Sequence, residues 1–210
     1  MKNPKHEKLK CGCYYHIHNR GINSCDLFLE NENYEHFLRL FDRYIIPIAK
    51  CFAWVLMGNH FHFFVKIKKK EEILNYQEVA RLSEMNAEDR AYQQFSNLFN
   101  AYTKAFNKRY DRTGSLFEHP FRRKKVETRI YFQQLILYIH MNPVKHGFRD
   151  HPLDYSWSSF IDFISRKPTN LDKSKVFGWF NNKTDFKAMH DEMVQLVHAE
   201  DLSIFSQEII

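Results

Sequence analysis

The 210-residue chain has no apolar run long enough to span a bilayer. Its strongest such runs, residues 52 to 57 for example, fall far short of the roughly 20 residues a membrane helix needs. The N-terminal MKNPKHEKLK is charged and lacks the apolar centre of a secretory leader. A cytoplasmic protein with no membrane partner is therefore expected. Cysteine is scarce: Cys11, Cys13, Cys25 and Cys51 are the four, and in that compartment they stay reduced. Only Cys11 and Cys13 lie close together, and the other two lack the paired spacing of a structural zinc cluster, so packed thiols are expected. No internal repeat or low-complexity linker divides the chain.

Aromatic residues and positive charge are abundant instead. Twenty phenylalanines and eleven tyrosines supply core volume and stacking surface, and the net charge of +6 points to a polyanionic partner. The length suits one compact domain with an extension, expected as a core over residues 1–150 and a packed C-terminal segment over 151–210.

Along the chain, residues 11 to 18 (CGCYYHIH) read as a first strand, ended by the Asn19-Arg20-Gly21 turn signal. Tyr34, Phe37, Leu38, Phe41 and Ile45 recur at helical spacing over residues 31 to 46. Two strands come next around a turn at Gly58-Asn59, and the polar stretch from 68 to 89 reads as a solvated excursion. Phe95, Leu98, Phe99, Tyr102 and Phe106 mark a long amphipathic helix that Gly114 breaks. A short basic strand over residues 121 to 126 leads into a helix from about 128 to 141, capped by Thr128 or Glu127 and stopped by Pro143. A last helix falls near residues 185 to 197. The order of elements predicts an α+β protein: a ferredoxin-like antiparallel sheet with helices packed on one face, plus a mainly helical C-terminal extension.

Three groups of residues carry chemistry. The first is LMGNHFHFFVKI, residues 56 to 67. Residues two apart on a strand share a face, so His60 and His62 project side by side while Phe61 and Phe63 face the other way. Two neutral imidazoles so placed can coordinate one divalent metal. On spacing alone a hydrogen-bonded pair lining a groove is the simpler account, and His16-Ile17-His18 repeats the pattern on another strand. The second group is YFQQLILYIHMNPVKHG, residues 131 to 147, in which Tyr131, Leu135, Tyr138 and Asn142 share one helix face. Tyr138 and Asn142 could present a phenol and an amide oxygen to one point. Proline after Asn142 disfavours helical geometry there, which leaves Gln134 as the fallback amide. The third is a run of cations, Lys104, Lys108, Arg109, Arg112, Arg122, Arg123, Lys124 and Lys125, against only Asp111 and Glu118. Tyr102, Tyr110, Phe117 and Phe121 are interleaved with them, a composition that suits single-stranded DNA.

Together these pieces resemble the single-tyrosine HUH transposases, which comprise insertion-sequence enzymes acting on single-stranded DNA and the REP-associated tyrosine transposases. The resemblance spans about residues 11 to 160. It is carried by MGNHFHFFV (57–65), GSLFEHPFRRKKV (114–126) and YIHMNPVKHGF (138–148), with HNRG (18–21) and YSWSSF (155–160) in support. It implies a DNA transposase with His60 and His62 as metal ligands, Asn142 as a third polar ligand, and Tyr138 as the nucleophile that forms a 5′-phosphotyrosyl intermediate. Mg²⁺ or Mn²⁺ suits this phosphate chemistry better than zinc. The implied partner is single-stranded DNA with hairpin-forming ends. A homodimer and a lone chain are both consistent with it, since related enzymes often pair while some with C-terminal extensions act alone. His16 and His18 fall outside the catalytic motif and read as structural or DNA-facing. Gly58 stands where proline is usual, and residues 68 to 93 look inserted. The rival readings are a domesticated, non-cleaving hairpin-DNA or RNA binder on the same fold, and a small metal-dependent hydrolase, which leaves the tyrosine without a role.

Overall fold

A computed structural model of the protein describes residues 7–75 and 85–199. Four strands, β1 (Tyr14–Arg20), β2 (Ala49–Met57), β3 (His60–Ile67) and β4 (Arg122–Val126), form one antiparallel sheet in the order β2-β3-β1-β4. The tight β2–β3 hairpin turns on Gly58 and Asn59, with Met57 opposite His60. Two crossovers interlock. Helix α1 (Asn31–Tyr44) joins β1 to β2 with β3 between them, and helices α2 (Lys70–Leu74) and α3 (Ala87–Arg109) join β3 to β4 with β1 between them. This is the ferredoxin-like arrangement the order of elements predicts. Part of the excursion, residues 76 to 84, lies outside the described residues. The first strand begins later than expected and runs through the turn signal to Arg20, because Asn19 and Arg20 keep pairing with Phe61 and His60.

The alternation of β3 decides what each face holds. Phe61 and Phe63 point to α1 and α3: Phe37 packs on Phe61 at 5.4 Å, Phe41 on Phe63 at 4.5 Å and Phe99 on Phe61 at 5.6 Å between ring centres. Each such buried ring contributes about 1.5–3 kcal/mol of hydrophobic stabilisation. The opposite face carries His60, His62 and Phe64 and is covered by α4 (Arg129–Lys145) and by the C-terminal segment beyond it. Helices thus cover both faces rather than one. The reason is on that second face, where Phe64 of β3 and Phe52 of β2, 5.4 Å apart between ring centres, must also leave water.

The helix α4 also overruns its expected end. Thr128 caps it as predicted, its Oγ1 accepting from the Tyr131 amide at 3.2 Å. Pro143 lies inside the helix and does not stop it. In a last turn a missing N–H costs one ladder bond only, and the chain stops where glycine allows it. Gly147 adopts φ +70, the Gly147 amide donates to the Val144 carbonyl at 2.9 Å, and the Phe148 amide donates to the Pro143 carbonyl at 2.9 Å. That pair of bonds is a Schellman stop.

Beyond Asp150, residues 157 to 159 lie along the outer edge of β2. The Leu56 amide donates to the Trp157 carbonyl and the Ser159 amide to the Trp54 carbonyl, both at 2.9 Å. Next in the chain are the short helices α5 (Phe160–Ile164) and α6 (Lys173–Trp179), and α7 (Lys183–His198) packs on α4. Trp179 covers Phe52, Phe64 and Phe132 at 4.8–5.7 Å. Among the described residues no helix is long and apolar enough to cross a membrane.

Candidate active site

The histidines on β1 and β3 meet because the two strands pair with His18 opposite His62 and Arg20 opposite His60. His16, His18, His60 and His62 therefore share one face, and the His62 ring stacks on those of His16 and His18 at 5.1 and 5.3 Å. Helix α4 crosses above them. Tyr138 places its ring edge-on to His62 at 5.4 Å and to His16 at 6.2 Å. Asn142, one turn further on, is fully buried.

The hydrogen bonds assign the ring nitrogens. The oxygen of Asn59 lies 2.7 Å from His60 Nδ1 and only accepts, so Nδ1 carries the proton and Nε2 holds a free lone pair. His62 Nδ1 lies 2.9 Å from His16 Nε2, and with the shared proton on His62 Nδ1 the His62 Nε2 lone pair is left for a ligand. Burial, the largest cause in each case, keeps the rings neutral. His60 and His18 are each pushed down to about 4, and His62 and His16 well below the ordinary range. Metal ligation requires neutral imidazole, so both expected ligands are in the competent form.

The Asn142 amide gives the sharpest sign. Its Nδ2 donates to the Tyr138 carbonyl at 2.8 Å, yet its Oδ1, buried, has no hydrogen-bond partner among the described residues. An orphaned buried acceptor is rare and calls for an explanation. The Asn142 side chain is the neighbour that favours the charged form of His60, which puts its oxygen toward that ring. Two imidazole lone pairs and one orphaned oxygen are a donor set that fits a divalent cation. Among the described residues no three His, Cys, Asp or Glu side chains form such a set, and the four cysteines are free. Burial raises the Tyr138 phenol above its ordinary pKa, and Asn142 partly opposes this.

A cleft of about 710 Å³ opens onto the site. His146, which caps the C-terminal end of α4, lines it with its ring 5.4 Å from His60. Residues 138, 142 and 146 are four apart, so the helix spacing that singled out Tyr138 and Asn142 also reaches His146, a residue the motifs alone do not flag. Arg20 and Arg122 line the cleft and share Glu118, and Phe28, Tyr34 and Phe148 add ring surface.

The eight cations do not form one groove. Arg122 reaches the cleft and Lys124 shares its face, where its ammonium lies 5.5 Å above the Tyr131 ring. Arg123 points the other way and is buried, bonded to the Phe121 carbonyl and stacked over Tyr92 and Phe121. Lys125 pairs with Glu127. Lys104 is exposed on α3, Arg109 pairs with Glu30, and Arg112 is bonded to Asn107. Lys108 and Arg109 line a separate groove between α1 and α3, on the far side of the sheet. A run of residues that crosses from a helix on one face to an edge strand distributes its charges over both.

No family model and no curated protein matches the chain. Among solved structures, the REP-associated tyrosine transposase bound to a REP hairpin is similar, with a TM-score of 0.56 and 16% identity over 80% of this chain and 89% of that one. Strand order, crossovers and that match agree, and the chain has the α+β fold of a REP-associated tyrosine transposase.

Proposed function

We propose that the chain is a transposase that cleaves and rejoins single-stranded DNA, with Tyr138 as nucleophile and hairpin-forming DNA as partner. One observation carries the reading: a phenol and two neutral imidazoles line one cleft, and the buried amide of Asn142, its oxygen unpartnered, lies beside His60. Support for the partner comes from the similar solved structure, which holds a REP hairpin.

His60, His62 and Asn142 would hold a divalent cation, Mg²⁺ or Mn²⁺, which when bound offsets charge on the scissile phosphate. Arg20 and Arg122 hold neighbouring phosphates, and Phe148 offers a ring for an unpaired base. The Tyr138 oxygen attacks phosphorus. One P–O bond forms to tyrosine and one breaks to the 3′ oxygen. The phenol loses a proton and the 3′ oxygen gains one. The phosphodiester bond is kept as a 5′-phosphotyrosyl ester, so attack by a 3′-hydroxyl restores DNA without ATP. Burial holds the phenol protonated, so Tyr138 is a weak nucleophile until the site is loaded.

The test uses a hairpin-bearing strand labelled at its 3′ end, incubated with protein and Mn²⁺. The label should travel with the protein on a denaturing gel. Tyr138→Phe should bind the strand and give no adduct. An undiminished adduct from Tyr138→Phe overturns the assignment.

A further inference from the structure

The helix that carries Tyr138 is buried on every side over residues 135 to 144, most of them apolar. Hydrophobic burial fixes where such a helix lies but gives little preference for its rotation about its own axis. A directional contact on the far side can select one rotation, because an unpaired buried polar group is costly.

His140 makes that contact. Two residues from Tyr138, it points roughly 200° around the helix. Its Nδ1 lies 2.8 Å from His190 Nε2 on α7, and its Nε2 lies 2.8 Å from Ser159 Oγ. His190 Nδ1 lies 2.7 Å from the Phe186 carbonyl, and the Trp54 amide on β2 donates to Ser159 Oγ at 2.8 Å. A carbonyl only accepts, so His190 is protonated on Nδ1 and its Nε2 accepts from His140 Nδ1. His140 Nε2 then accepts from the Ser159 hydroxyl, whose oxygen accepts from Trp54. Every proton is assigned, and all four bonds run one way. Both rings and the serine are fully buried, and both rings are neutral, with burial the leading cause. Ser159 also starts α5, yet its hydroxyl does not cap that helix as serine ordinarily does.

We propose that His140, Ser159 and His190 are positioning residues that lock the rotation of α4 through this chain of bonds, and so aim Tyr138 and Asn142 at the sheet histidines. The proposal rests on Tyr138 being the nucleophile and makes the C-terminal segment part of the working site. A buried network that serves only to stabilise the fold would leave the orientation of Tyr138 independent of it.

Long-range ¹⁵N–¹H spectra of histidine-labelled wild-type protein should show both rings with the proton on Nδ1. An Nε2–H form of either ring overturns the proposal even if no variant folds. His190→Phe keeps a ring but removes the accepting nitrogen, and Ser159→Ala serves if that variant does not fold. Either should move the ¹³C ring resonance of Tyr138 in metal-free protein and slow first-turnover adduct formation at least about tenfold, with DNA affinity unchanged. His140→Asn, which keeps a donor near the Nδ1 position, should recover part of the rate lost in His140→Phe. Folded variants with an unmoved tyrosine resonance and a wild-type rate overturn the proposal. A wild-type protein that forms no adduct overturns the nucleophile reading alone, because the tyrosine resonance still decides the positioning.

Discussion

His16 Nε2 lies 2.9 Å from His62 Nδ1, across two neighbouring strands. In the proposed site the two HxH motifs would divide the work: His62 would offer its second nitrogen to the cation, and His16 would hold that ring from behind, as outer-shell partners of metal-bound imidazoles commonly do.

This relationship predicts that His16→Ala weakens metal binding without removing it. Affinity for Mn²⁺ should fall by about 10–100-fold, and cleavage should recover at higher Mn²⁺. His60→Ala and His62→Ala should lose metal-dependent cleavage at every concentration. Titration calorimetry with Mn²⁺ on the three variants decides it, and equal losses in all three would refute the division of labour.

The buried histidines set the response to acid. His190, His18 and His60 have folded pKa values near 3, 4 and 4, below the unfolded value of about 6.5. Between those limits the unfolded chain binds more protons, so acid favours unfolding. Stability should be flat above about pH 7 and fall steadily from there toward pH 4. Melting temperatures measured across that window test this, and a melting point independent of pH between 7 and 5 would show the rings to be accessible.

Neighbours on β4 should behave oppositely. Arg122→Ala removes a cation that lines the cleft, so DNA binding should weaken and the slope of log affinity against log salt should shrink by about one. Arg123→Ala removes a buried side chain stacked on Tyr92 and Phe121, so about 1–3 kcal/mol of stability should be lost with the salt slope unchanged. Denaturant titration and filter binding on both variants separate the effects.

Gly147→Ala should cost about 1–2 kcal/mol, because φ +70 suits glycine and strains a side chain. Pro143→Ala should be neutral or slightly stabilising, since an amide is regained within an intact helix. Thermal melts of the pair would show which residue ends α4, and a larger loss from Pro143→Ala would reverse the assignment.

The hairpin of β2 and β3, the shared face of His60 and His62, and the Tyr138–Asn142 helix face were all legible, because each arises from a local repeat of two or of four. The bond between His16 and His62 was not, since it depends on how β1 registers against β3 and joins side chains 46 positions apart. Pro143 misled because a local rule about helix interiors weakens in a last turn. The cations misled because closeness along the chain hides which side of a sheet each side chain takes. The network of His140, Ser159 and His190 joins three separate segments and leaves no periodic trace.

The outer margin of β2 is occupied by the chain's own residues 157 to 159, and the opposite margin, β4, is studded with arginine and lysine. An open strand is an invitation to a second molecule, and here one flank is already taken while the other carries the charged side chains that discourage pairing. Among the described residues neither flank of the sheet offers a bare apolar strand, so joining two sheets edge to edge is disfavoured.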